Sequence, residues 1–142
     1  KANNLKKVSQ LENDNGFISS KDVSNYSTTE KVVGVWIDGS PIYRKTFTYL
    51  DYTLPTNKWC YLREGIPELN IKQYISCSGT ALCYSNVHKD NPVWQPIPRV
   101  CPDANEAYNI GFGDFDSEKV GILFGTGFTK VSVYLTIEYI KN

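Results

Sequence analysis

A chain of 142 residues is long enough for one domain with a single core, and its 41% of hydrophobic residues excludes wholesale disorder. The 15 basic and 15 acidic residues cancel. The chain therefore lacks the positive excess that supplies most affinity for nucleic acids and anionic membranes. Tyrosine, phenylalanine and tryptophan are abundant, and 10 Gly and 7 Pro interrupt the chain at short intervals. This composition favours an all-β fold over a helical one.

Residues 1–29 differ from the rest because they are polar, with thinly spaced apolar residues. The spacing allows a short extended or helical segment, with a helix over residues 5–11 that Asn15-Gly16 would end. Alone, such a segment cannot bury enough surface to order itself. We therefore predict a linker, or a segment that packs only within an oligomer, over residues 1–29, followed by a β domain over residues 30–142. Because the chain starts at Lys1 without an initiator methionine, we expect it to be a piece of a longer protein.

Residues 30–50 predict a β-hairpin. Two runs rich in β-formers, EKVVGVWI and IYRKTFTYL, flank Asp38-Gly39, which is a strong hairpin-turn signal. Both faces of the first run are apolar, which predicts a strand that is covered on both sides, the second cover being another element or another subunit. Trp36 is expected in the core or in an interface.

Further short strands are predicted along the rest of the chain. Ser78-Gly79-Thr80 and residues 113–117 are expected to be turns, and the proline-rich stretch 86–105 a surface loop with one short edge strand. About seven or eight strands predict an antiparallel, jelly-roll-like β-sandwich with little helix. The last strand has the cleanest alternation, with one face for burial and the opposite face wet or between subunits. After the hairpin, the predicted strands cover residues 69–77, 81–85, 93–97, 106–112, 118–124 and 130–140.

No pattern in the chain predicts catalysis, a cofactor or a metal. The only histidine, His88, is not accompanied by a nucleophile elbow, and no carboxylate pair stands out as a glycosidase pair. Asp114, Asp116 and Glu118 have alternate spacing but do not match a calcium loop, so a polar turn is the simpler interpretation. We expect a protein that is not an enzyme, with no catalytic residue, no cofactor and no metal.

The four cysteines, Cys60, Cys77, Cys83 and Cys101, form no C-x-x-C pair. In an oxidising compartment they can form two disulfides. Each also has apolar or aromatic neighbours, and free cysteine buries well as a small hydrophobic residue. The length of the chain favours buried thiols, because a domain of this size does not need disulfides to be stable.

Aromatic residues in the loops are the best candidates for ligand binding. Trp94 lies in the proline-rich stretch near Tyr84, His88, Asp90 and Tyr108 in sequence. A flat ring can stack on a sugar face while neighbouring polar side chains bond its hydroxyl groups. We predict a glycan site from these five residues, the alternative being that the tryptophan fills one end of the sandwich. Trp59 is expected to do the latter.

Three stretches resemble proteins of bacteriophage tails. Residues 6–23 resemble the linker of tail fibres and receptor-binding proteins, of the form V-S-x-L-x-N-D-x-G-[FY]-[IL]. Residues 26–47 resemble the opening of C-terminal domains in appendages of phages that infect Gram-positive bacteria, and residues 133–142 are similar to their last strand. The first stretch matches at Val8, Ser9, Leu11, Asn13, Asp14, Gly16, Phe17 and Ile18, and the second at Tyr26, Ser27, Thr28, Glu30, Val33, Gly34, Trp36, Ile37, Asp38, Gly39, Pro41, Ile42, Tyr43 and Lys45.

This resemblance implies a homotrimer in a virion tail, assembled in the bacterial cytoplasm, in which residues 1–29 are a trimerisation segment. The implied partners are other tail proteins and a polysaccharide or teichoic acid of the host surface, bound without bond breaking, with no nucleic acid and no membrane insertion. A purely structural trimerising domain and a glycan depolymerase are the alternatives. Residues 66–110 match none of these motifs, and the resemblance transfers no binding residue.

Overall fold

The structure, a computed structural model, describes residues 26–87, 89–101 and 106–142. It confirms an all-β chain with eight strands in two antiparallel sheets, and the only helices in the described residues are two short 3-10 helices, Pro67–Leu69 and Glu106–Tyr108. Most of the N-terminal segment lies outside the described residues. The strands are β1 (Lys31–Val35), β2 (Pro41–Thr53), β3 (Trp59–Leu62), β4 (Ile71–Ser85), β5 (Val93–Ile97), β6 (Ile110–Phe115), β7 (Val120–Phe124) and β8 (Phe128–Lys141).

The larger sheet has the order β1-β2-β8-β4-β5 and the smaller one the order β3-β7-β6. The last strand, β8, is central and pairs along most of its length with both β2 and β4. Its predicted alternation is confirmed, since every second side chain is fully buried. These are Val131, Val133, Leu135, Ile137 and Tyr139, each 0% exposed.

The core lies between the two sheets. Inward side chains of β8 belong to one hydrophobic cluster with Cys60 and Leu62 of β3 and with Ile122 and Phe124 of β7. Burial of each such side chain contributes about 1.5–3 kcal/mol relative to exposure. The β-sandwich predicted from strand periodicity is therefore confirmed.

The predicted turn at residues 78–80 is wrong, because β4 runs without a break from Ile71 to Ser85. Gly79 is paired with Leu135 of β8, and a Cβ atom built on it would lie 2.2 Å from the carbonyl oxygen of Tyr134. Glycine is needed here because two backbones approach closely, which is a common reason for a glycine inside a strand.

The small sheet differs from the prediction in two places. The short strand β3 was not predicted, and the strand expected at residues 106–112 begins only at Ile110 and continues to Phe115, so that Gly113 lies inside β6. A Cβ atom on Gly113 would lie 2.6 Å from Cη2 of Trp59, and one on Gly121 would lie 3.1 Å from Cζ3 of the same ring. The half-buried indole of Trp59 therefore packs over a glycine surface of the small sheet.

Among the residues that the structure describes, the first strand is an edge strand and is not covered on both sides. Among the described residues β1 pairs only with β2, and Val32 and Val35 are 52% and 69% exposed. Trp36 lies outside β1, in the turn, where its N–H donates to the carbonyl of Ser40; it is half-buried and is not part of the core. Burial on two sides was inferred from apolar composition alone, which does not distinguish a central strand from an uncovered edge.

Candidate functional site

Hydroxyl and aromatic side chains cover the outer face of the five-stranded sheet. Inward residues of β8 alternate with outward ones, so Tyr134 and Thr136 face away from the core. The strand register places Thr46 of β2 opposite Thr136, and Ser78 and Thr80 of β4 opposite Thr136 and Tyr134. The hydroxyl oxygens of Thr46 and Thr136 are 2.9 Å apart and share a hydrogen bond. Three strands that are distant in sequence thus form one polar surface.

Aromatic side chains stand on this surface and turn it into a groove, which we call the sheet groove. Trp94 of β5 is 56% exposed, and its ring centroid lies 5.6 Å from that of Tyr134. Tyr26 is 77% exposed, and the next residue, Ser27, accepts a hydrogen bond from the N–H of Thr46. The sheet groove has a volume of about 590 Å³, which lies in the range of small-molecule sites. The lining consists of Tyr26, Thr46, Ser78, Gly79, Thr80, Trp94, Tyr134 and Thr136.

Two ion pairs flank the groove on this face, and Lys31 of β1, opposite Arg44, is a further charged residue outside the groove. Arg44 and Glu138 form an ion pair with a nitrogen–oxygen distance of 2.6 Å, and both side chains are about three-quarters buried. Beyond the other end, Lys130 pairs with Asp51 at 2.8 Å. The hydrogen bond from Lys130 to Asp51 raises the pKa of the lysine. None of the described residues that line the sheet groove is charged.

Of the five residues predicted for a glycan site, Trp94 lies in the groove. Tyr84 is on the same face of β4, beyond the register partner of Trp94, and its ring lies 4.3 Å from the ammonium group of Lys130. Asp90 lies in the exposed connection between β4 and β5. Tyr108 is elsewhere, packed edge-on against Phe128 with ring centroids 5.4 Å apart. His88 lies outside the described residues.

Sequence reasoning missed the other groove residues, although a signal for some of them was present. The polar face of the last strand, Ser132, Tyr134, Thr136 and Glu138, was recognised as wet or intersubunit, but no binding role was derived from it. Tyr26 was noted only as part of a scaffold motif. Tyr134 comes near Trp94 through strand pairing, and Tyr26 precedes Ser27, whose carbonyl accepts a hydrogen bond from Thr46 of β2. The local sequence pattern specifies neither of these contacts.

The side chains of Cys60 and Cys83 lie in surroundings that suppress their reactivity. All four cysteines are free thiols, and Cys60 and Cys83 are buried. Burial raises the pKa of both thiols to about 12, although the charge of Arg99 slightly opposes this at Cys83. Thiols with raised pKa values are poor nucleophiles.

Asp116 and Glu118 lie in the turn between β6 and β7. Asp116 accepts hydrogen bonds from the N–H groups of Glu118 and Lys119, as in an ordinary polar turn. Among residues 26–87, 89–101 and 106–142, no cluster of three His, Cys, Asp or Glu side chains is arranged to hold a metal ion. In the same part of the chain no helix has the length and apolar character of a membrane span.

No protein-family model, curated protein or solved structure matches this chain.

Proposed function

We propose that this chain is the C-terminal β-sandwich domain of a phage or prophage tail appendage, and that it attaches the virion to a bacterium by binding a surface glycan without breaking it. The observation that carries the proposal is the exposed Trp94, which stands beside Tyr134 in a groove lined by hydroxyl groups. The motifs in residues 6–47 and 133–142 support the appendage assignment.

The groove has the chemistry that sugars require. A pyranose presents a C–H face that packs on an aromatic ring, and its edge carries hydroxyl groups that both donate and accept hydrogen bonds. In the groove, Trp94 supplies the ring, and Thr46, Ser78 and Thr80 supply the hydroxyl groups. These side chains are held by paired strands, so little ordering is needed on binding.

A trimer would make weak sites effective. A single site with a millimolar Kd contributes about −4 kcal/mol. Three linked sites on one cell surface can gain several orders of magnitude in apparent affinity without a new contact. We propose that a second copy of the chain covers the exposed apolar residues of the first hairpin, Val32, Val35 and Ile37, of which Ile37 is 92% exposed.

Adhesion of a Trp94→Ala variant to host cells tests the proposal. We expect a loss of at least about tenfold in apparent affinity, which corresponds to roughly 1.4 kcal/mol. Val93→Ala is the matched control, because Val93 is 40% exposed on the same strand but does not line the groove. Both variants should keep the unfolding midpoint of the parent, since both side chains are exposed. Equal adhesion of the two variants would contradict the proposed site.

A structural, trimerising virion domain is the second candidate, and the exposed edge of β1 favours it. Val35→Thr combined with Ile37→Ser should convert a trimer into monomers in light scattering if this hairpin is the contact. If the parent chain forms trimers but neither it nor its full appendage adheres to cells, the structural role replaces adhesion. A strictly monomeric parent would remove the support that the resemblance lends to both candidates.

A further inference from the structure

The outer face of the five-stranded sheet carries one ion pair at each end. At one end, Nε and Nη2 of Arg44 lie 2.8 and 2.6 Å from Oε1 of Glu138, and Ser76 donates to the other oxygen of this carboxylate. At the other end, Lys130 donates to Asp51 at 2.8 Å. Arg44 and Lys130 each have a carboxylate partner, so the sheet groove lies between two neutralised pairs, and Lys31 of β1 lies opposite Arg44 as a further cation on this face.

An anionic ligand would meet an unfavourable environment in this groove. Its charge would lose solvation on entering, and Arg44 and Lys130 at the two ends are already engaged with carboxylates. To pair with Arg44, a phosphate would have to displace Glu138 from a contact in which both side chains are about three-quarters buried. Leaving that carboxylate unpaired carries its own desolvation penalty.

An uncharged sugar fits the same surface. The hydroxyl groups of Thr46, Ser78, Thr80 and Thr136 each donate and accept, which matches the hydroxyl groups of a sugar. The exposed ring of Trp94 offers a surface for the C–H face of a pyranose, and Tyr26 stands among the same lining residues with 77% of its surface free. The hydroxyl groups and aromatic rings that line the groove are therefore suited to a neutral ligand.

We infer that the sheet groove binds an uncharged pyranose of a bacterial surface polysaccharide, stacked on Trp94, and that it excludes phosphate- and carboxylate-bearing units such as the repeats of teichoic acid. This inference rests on the proposed glycan-binding function and narrows its ligand class. It also predicts that the Kd hardly changes with salt concentration, because recognition without ion pairs is nearly independent of salt.

The test uses the indole N–H signals of the three tryptophans in NMR spectra of the whole chain, with the Trp94 signal assigned by its loss in Trp94→Phe. The probes are neutral methyl hexosides and deoxyhexosides, methyl glucuronide and glycerol phosphate, each up to about 0.1 M so that millimolar binding is detected. We expect only the neutral probes to shift the Trp94 signal, with a Kd that changes less than about twofold between roughly 0.05 and 0.5 M salt.

A hydroxyl deletion sharpens the test. Thr80→Val keeps the shape of a lining residue but removes its hydroxyl group, and should weaken the neutral probe roughly three- to tenfold. Thr48→Val is the matched control, since Thr48 is an exposed outward threonine on β2 that does not line the groove. Equal effects of the two substitutions would count against hydroxyl recognition in the groove.

The outcomes separate this inference from the proposed function. A salt-dependent shift of the Trp94 signal by glycerol phosphate or glucuronide, or no shift with any neutral probe, overturns the inference. If adhesion to cells still depends on Trp94 in that case, the proposed function stands with a different ligand. If neutral probes bind at Trp94 while the full appendage does not adhere to cells, the inference stands and the proposed role in attachment fails.

Discussion

Gly113→Ala should destabilise the small sheet because it introduces a methyl group under the indole of Trp59. The new Cβ atom would lie 2.6 Å from Cη2 and 3.1 Å from Cζ3 of this ring. Carbon atoms in contact prefer about 3.5–4.0 Å, so the ring has to move by about 1 Å. The ring also stacks on Tyr61, with centroids 5.4 Å apart and planes inclined by 6°, so the movement disturbs a second contact. Overpacking of this kind costs about 1–3 kcal/mol.

The control is the same substitution two residues earlier on the same strand. A Cβ atom on Gly111 would meet nothing within 4 Å. Gly111→Ala should therefore be neutral or stabilise by about 0.4–1 kcal/mol through the unfolded state. Urea denaturation followed by tryptophan fluorescence should separate the two variants by about 2 kcal/mol, with unchanged m-values. In a Trp59→Leu background the difference should shrink. Two equally stable variants would refute the proposed packing of Trp59 on glycine.

Two further predictions concern titratable groups. Burial raises the pKa of Glu30, but hydrogen bonds from Lys141 and Tyr139 and the charge of Lys141 outweigh it, so the pKa lies below the ordinary 4.5. Its stabilisation is therefore complete above about pH 4.5 and is lost as the pH falls through the lowered value, and Glu30→Gln should flatten the acid limb of unfolding measured between pH 3 and 7. Burial raises the pKa of the thiols of Cys60 and Cys83 to about 12. Iodoacetamide at pH 8 should leave both unmodified in native protein and alkylate them in urea, as seen by mass spectrometry, whereas a mass deficit from disulfides would contradict free thiols.

The fold was largely predictable where side chains alternate over a long stretch. The last strand could be predicted because its apolar residues recur with a period of two. In the structure, Val131, Val133, Leu135, Ile137 and Tyr139 are all buried. Pro96 and its neighbours correctly marked β5 as an edge strand. By contrast, β3 has only four residues, too few for a period to stand out.

Glycine gave the least reliable signals, because its several physical uses look alike in a sequence. Gly79 was taken for a turn but lies mid-strand, where two backbones approach closely. Gly113 was assigned to a turn but accommodates the ring of Trp59. The alternation of Cys77, Gly79, Ala81 and Cys83 continues through the supposed turn, and it was the better guide.

The candidate site could be predicted only in part, since its residues come from four strands and from the segment that precedes β1. An aromatic residue in a proline-rich stretch identified Trp94, but only the register of β8 with β4 brings Tyr134 beside it. Tyr108 is close to Trp94 in sequence and yet packs against Phe128. Proximity along the chain was therefore a poor substitute for strand pairing.

Under the proposed function, the position of the groove allows the domain to change its ligand without losing its fold. The floor comes from β8, where Tyr134 and Thr136 alternate with fully buried core residues, so changes in this strand would disturb packing as well as binding. One wall comes from β4 and β5, where Thr80 and Trp94 are exposed. That wall lies within residues 66–110, which match no appendage motif, whereas the floor lies within the matching residues 133–142. Substitutions of exposed side chains usually change stability little. Under the proposed function, ligand preference can therefore vary in the β4–β5 hairpin while β8 maintains the sandwich.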